Sequence, residues 1–100
     1  MALDGLTESI LRTAAQSPPL GYRVKFAFED GAVILWDGRS TPAVVTNEDA
    51  EADTTIRLAA ADLEEILAGT LDPTLAYMSG RLKVEGSLGV ALKLTATLGA

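Results

Sequence analysis

The side chains that ordinarily carry chemistry are thin in this sequence. It has no histidine and no cysteine. That removes the commonest general base, the commonest transition-metal ligand, thiol nucleophiles and thiolate zinc sites together. Ser79 and Ser87 have no histidine or lysine at triad-like spacing along the chain; a Ser-Lys pair with Lys83 or Lys93 would have to be made by the fold. Glu64 and Glu65 are adjacent, so on a helix they point about 100° apart and cannot share a proton as a dyad. Asp62 falls in the first turn of the same predicted helix, where its charge complements the dipole. Oxygen ligands recur at every second position in Asn47, Asp49, Glu51 and Asp53, as in a calcium loop. The glycine and glutamate that an EF-hand needs at its sixth and twelfth positions are here Ala52 and Leu58. Glycines 80, 86 and 89 fit neither phosphate-binding pattern. No catalytic residue, metal site or cofactor is read from this set.

Composition narrows the field further. With 48% apolar and 22% charged residues, the chain reads as globular rather than disordered. Its 100 residues suffice for one domain spanning 1–100 that folds without staples. The net charge of −6 argues against a nucleic-acid binder, which needs clustered cations. It also disfavours docking on an anionic bilayer, so membrane contact is expected to be transient at most. No run of 18 apolar residues marks a membrane span. Met1 to Ile10 lacks a basic region ahead of an apolar one, which with the absence of cysteine places the protein in the cytoplasm. Sixteen Ala and fifteen Leu outweigh five aromatics; small Ala and flexible Leu suit either a packed core or the wall of a hollow.

The elements that must position these residues follow from periodicity. Leu3, Leu6, Ile10, Leu11 and Ala14 recur at helical offsets, and Ser17-Pro18-Pro19 stops the run. Tyr22, Val24, Phe26 and Phe28 alternate as a half-buried strand, turned at Glu29-Asp30-Gly31. Ala32 to Trp36 is apolar on both faces, as a central strand would be. Pro42 to Thr46 forms a third strand with proline at its start, and Thr54 to Ala59 a fourth, after a polar loop. Ala60 to Ala68 is a helix ended by Gly69, although Ala59-Ala60-Ala61 supplies no side-chain cap. Asp72-Pro73 opens a second short helix that ends by Gly80. Arg81 to Glu85 is a fifth strand and Leu88 to Leu98 a final helix. This order predicts an α+β fold, a five-stranded, largely antiparallel sheet with helices on one face. Arg23, Lys25, Arg57, Arg81 and Lys83 fall on the other face, which solvent is expected to wet.

The pieces Ala52-Asp-Thr-Thr-Ile-Arg-Leu58, Asp62-Leu63, Gly69-x-Leu71-Asp72-Pro73, Ala76-Tyr-Met-Ser-Gly80, Arg81-Leu-Lys-Val-Glu-Gly86 and Ala91-Leu-Lys-Leu94 occur in this order. Over these two-fifths of the chain the sequence resembles the sterol carrier protein 2 family of lipid-binding domains. The first half matches only in pattern. The resemblance implies a hydrophobic tunnel between sheet and helices that holds a fatty acyl chain, a sterol or a similar apolar ligand, without catalysis. Its expected walls are Leu63, Leu67, Leu75, Met78, Leu82, Val84, Leu88, Leu92 and Leu98, with Phe26, Phe28 and Trp36 on the sheet side. The terminal Leu98-Gly99-Ala100 is no Ser-Lys-Leu address, which favours a non-peroxisomal domain and makes sterol a less expected ligand. The alternative reading is an interaction or accessory module with the same fold and a filled core. An enzyme acting on a lipid-derived substrate would need a polar cluster at the tunnel mouth, and the sequence displays none.

Overall fold

A computed structural model describes residues 3–16, 21–39 and 43–98, with side chains for 5–16, 21–39 and 43–94. The elements run α1 (Leu3–Gln16), β1 (Arg23–Ala27), β2 (Val33–Asp37), β3 (Val44–Thr46), β4 (Thr54–Leu58), α2 (Ala60–Ala68), α3 (Pro73–Met78), β5 (Leu82–Glu85) and α4 (Leu88–Leu98). This is the order that periodicity predicts, within a residue or two at each end. The Ser17-Pro18-Pro19 stop and Pro42 lie outside the described residues.

Local chemistry explains several boundaries. Gly31 (φ 89°) closes the β1–β2 turn, where Asp30 Oδ1 accepts from the Ala32 N–H at 2.9 Å. Gly69 ends α2 in the left-handed conformation at φ 78°, and the Thr70 N–H reaches back to the Glu65 carbonyl. At the other end of α2, Ala59 makes no side-chain cap. Asp72 does cap α3, accepting from the Thr74 N–H at 2.8 Å, with Pro73 at the first helical position.

The sheet order is β3-β2-β1-β4-β5. All neighbours are antiparallel except β1 and β4, which are parallel. β2 is an interior strand, paired on both sides as its two apolar faces predict, and the middle one of the five is β1. Registers place Val24, Phe26, Ile34, Trp36, Ile56, Leu58 and Leu82 on the helix-facing side. From α1, Leu6, Ile10 and Ala14 close on them. Leu11 is 45% exposed: the buried stripe is i, i+4, i+8, and Leu11 sits about 100° round from Ile10.

The outer face is less bare than the charge pattern suggests. The chain must pass from β3 at one edge to β4 beyond β1, and residues 47–53 make that crossing. Lys25 Nζ binds Asp49 Oδ1 at 2.8 Å, the Arg23 guanidinium donates to the Glu51 carbonyl, and the Arg23 N–H donates to Asp53 at 2.8 Å. Arg23 and Lys25 alternate with Val24 and Phe26, so the strap lies on the side away from the helices. Asn47 Nδ2 at its start donates to the Val33 carbonyl at 3.0 Å, and Val33 and Leu35 are buried. The loop is thus tied to β1 by one ion pair, at Asp49, and by hydrogen bonds at the Glu51 carbonyl and the Asp53 carboxylate.

Arg81 also departs from expectation. It precedes β5 and turns toward the helix layer, where it pairs with Asp62 and with Glu65 (2.6 Å) of α2. Its two carboxylate partners lie one helical turn apart and meet a single guanidinium.

Asp37 carries the strongest electrostatic perturbation on the outer face. Hydrogen bonds from Arg39, first to its side chain, then with the help of the Arg39 N–H and of Arg23, hold its carboxyl far below the ordinary value of 3.8. Glu85 is lowered likewise by Arg57. A carboxylate with a depressed folded pKa contributes stability above its unfolded pKa and loses it as pH falls through the folded one. Thermal melts are therefore expected to hold steady from pH 7 to about pH 4 and to decline below it. Asp37→Asn should flatten that decline; an unchanged acid slope would count against the assignment.

Candidate lipid-binding site

The helix layer divides above the middle strand. α1 seats on β3 and β2, while α4 seats on β4 and β5; α3 packs against β5 and α4. These helices flank β1, and α2, which touches both α1 and α4, lies across the space between them. Leu63 and Ile66 of α2 and Phe26 of β1 are all wholly excluded from solvent and belong to one cluster. The layer between β1 and α2 is thus apolar, with no charged side chain among its described residues.

The expected wall residues divide into three groups. Phe26, Phe28, Trp36, Leu63 and Leu82 meet in this cluster, and Leu67 and Val84 are half-buried against it. Leu88 and Leu92 of α4 are half-buried. Leu75 and Met78 are placed otherwise, at 61% and 74% exposed. α3 has six residues and buries only Ala76, because so short a helix presents little more than one turn to its neighbours. The side chain of Leu98 lies outside the described residues.

Leu75 borders a groove of about 590 Å³ between the end of α2 and α3, whose floor includes Ile66 and whose side includes the half-buried Leu71. Leu71, part of the Gly69-x-Leu71-Asp72-Pro73 string, was not among the expected wall residues. A second pocket, of about 350 Å³, opens at the far end of β1 and β4 beside Phe28 and Leu58, rimmed by Arg57, Arg81 and Lys83. Both pockets reach residues of the apolar cluster from the surface. Among the described residues no helix is long and apolar enough to cross a membrane.

Comparison with known proteins agrees with this architecture. The model of the SCP-2 sterol transfer family matches residues 2–99. The chain belongs to that family. Among curated relatives, hydroxysteroid dehydrogenase-like protein 2 of Rattus norvegicus is 32% identical over 93 residues, 91% of this chain and 17% of the relative. Sterol carrier protein 2 of Bos taurus is 40% identical over 52 residues, 52% of this chain and 10% of the relative. The chain spans less than a fifth of the length of these curated relatives. Among solved structures, palmitated SCP2L2 from Aedes aegypti superposes with a TM-score of 0.70 at 20% identity, covering 100% of this chain and 96% of that one. The UbiJ-SCP2 ubiquinone synthesis protein gives 0.68 at 23% identity, covering 99% and 93%. These structures share the α+β fold, and membership of the SCP-2 family supports lipid binding or transfer in general terms.

Proposed function

We propose that this chain is a single, non-catalytic lipid-binding domain that takes up one long apolar chain between β1 and the helices α1, α2 and α4. The observation that supports the reading is the layer itself: an apolar layer over the middle strand, bounded by α1 and α4 and spanned by α2, in a chain of the SCP-2 family. The ligand walls are Phe26, Phe28, Trp36, Leu63, Leu67, Leu82, Val84, Leu88 and Leu92. Leu75 and Met78 serve at the mouth, beside the groove between α2 and α3. Entry is by movement of the α2–α3 segment. The uncapped start of α2 and the single buried residue of α3 make this a segment of low local stability. The ligand class is fatty acyl or similarly apolar, and the cysteine-free composition favours action in the cytoplasm.

The energetics suffice. Burial of a sixteen-carbon chain is worth about 12 kcal/mol gross at ~0.8 kcal/mol per methylene. Micromolar affinity needs about 8 kcal/mol, which leaves roughly 4 kcal/mol for immobilisation. A second reading, an interaction module with a filled core, is favoured by one observation: Phe26, Ile34, Ile56, Leu63 and Ile66 admit no solvent.

Native mass spectrometry of the purified protein, followed by organic extraction, separates the two. A stoichiometric lipid adduct supports the first reading and identifies the ligand class. A clean mass, together with no uptake of a fluorescent fatty acid at micromolar concentration, supports the second. Within the first reading, Leu88→Trp and Leu92→Trp are each expected to weaken fatty-acid uptake about tenfold by filling the wall, with circular dichroism unchanged. Undiminished uptake in both would move the site off α4.

A further inference from the structure

The helix-facing side of the sheet changes character along the strands. Val45, Trp36, Val24 and Thr54 stand side by side at one end. Ile34, Phe26, Ile56 and Val84 form the next row, about 6.7 Å further on, and Leu58 and Leu82 the third. Only the first row holds polar side chains. Trp36 and Thr54 are each 1% exposed, and they flank Val24 on the middle strand.

The Trp36 indole N–H, although buried, has no acceptor among the described residues. Buried polar groups are almost always paired, because an unmet donor keeps its full desolvation cost. The indole N–H only donates, so its partner must bring an acceptor, which in an otherwise apolar chain is most commonly an oxygen. It lies on β2, next to the strand over which the lipid reading places the ligand. We propose that Trp36 Nε1–H anchors the polar end of the bound ligand, and that this end is an uncharged oxygen, the hydroxyl or carbonyl of a long-chain alcohol, ketone or ester. The tail then runs along β1, past Phe26 toward Leu58 and Leu82.

The absence of charge follows from the surroundings. Arg23, Lys25 and Arg57 sit on the opposite side of the sheet, engaged with Asp37, Asp49 and Glu85. Among the described residues the buried layer holds no cationic side chain, so a carboxylate set beside Trp36 would be buried unpaired, which costs far more than one neutral donor returns. The hydroxyl of Thr54, able to donate and to accept, keeps this end of the layer polar. The inference rests on the lipid-binding reading.

Trp36 is the sole tryptophan, so 15N-labelled protein gives one indole N–H resonance. The probes are 1-dodecanol, dodecanoate at pH 8 and dodecane. Dodecanol is expected to shift that resonance downfield and to bind about five- to tenfold more tightly than dodecane, the increment of one hydrogen bond. Dodecanoate is expected to bind more weakly than the alcohol. Trp36→Phe should bring the affinities for alcohol and alkane within about twofold of each other, whatever the change in wall contact does to both. Should that variant not fold, the indole shift and the probe ranking in the unaltered protein decide. If the probes bind while the indole resonance stays put, or dodecanoate binds best, the anchor is wrong and the lipid reading stands. If no probe binds, the lipid reading falls and takes the anchor with it.

Discussion

Phe26→Ala is expected to lower the free energy of unfolding by about 3–5 kcal/mol. Phe26 sits on the middle strand with Ile34 and Ile56 in register on either side, and all three are fully excluded from solvent. Truncation forfeits the burial of a ring and leaves a cavity that neighbours on three strands cannot close, since the sheet ladder fixes their spacing. Against a total of about 5–15 kcal/mol for a domain, this is a large fraction. The melting temperature should fall by about 12 °C or more. Urea unfolding of both proteins checks it, and a loss under 1 kcal/mol would mean that the layer over β1 collapses freely. The variant also bears on function. A ligand that binds only the folded state raises stability by mass action, so fatty acid in excess should restore part of the lost melting temperature if its chain lies over Phe26.

The second large effect is at Gly86. Its φ of +106° is one that side chains rarely adopt, and an added Cβ would stand 2.6 Å from the Asp53 carbonyl oxygen and 3.2 Å from Thr54 Cα. Both neighbours are backbone at the start of β4, so neither can swing aside as a side chain would. Gly86→Ala is expected to cost about 2–4 kcal/mol, combining conformational strain with displacement of β4 or β5. Gly31→Ala is the control: φ is +89°, but nothing lies within 4 Å of the place its new methyl would take, so strain of about 1–2 kcal/mol acts alone. Chemical denaturation of the pair isolates the close approach. Equal losses would show that the contact between residue 86 and β4 yields easily. The same contact bears on the site, because Thr54 stands in the same row as Trp36, with Val24 between them.

Much of the fold is legible in the residues because its causes are local. Tyr22 to Phe28 alternates with period two, Leu63, Ile66 and Leu67 recur at helical spacing, and Asp72-Pro73 and Gly69 punctuate chain direction through their own backbone preferences. None of these signals requires knowledge of a neighbour distant in sequence. For the proposed ligand walls, sequence periodicity forecast burial and no more. Residues on strongly periodic elements, such as Phe26, Leu63 and Leu82, do enter the apolar cluster. Leu75 and Met78 do not, because α3 is too short for its pattern to dictate a buried face.

By itself, the sequence determined the order and type of the elements, the lack of histidine and cysteine chemistry, and the apolar surface that the chain must cover. The tertiary structure decided which strand became the middle one, through the parallel pairing of β1 with β4. It decided that residues 47–53 cross the outer face as an acidic strap on Arg23 and Lys25, and that Arg81 clasps α2 instead of lying with the other cations. It also left the Trp36 N–H without an acceptor among the described residues, inside the apolar layer. The physical reason is common to all four. Periodicity states which face of an element is apolar, whereas pairing, crossing and burial of a polar atom depend on contacts between residues far apart in the chain, settled only when the whole layer packs.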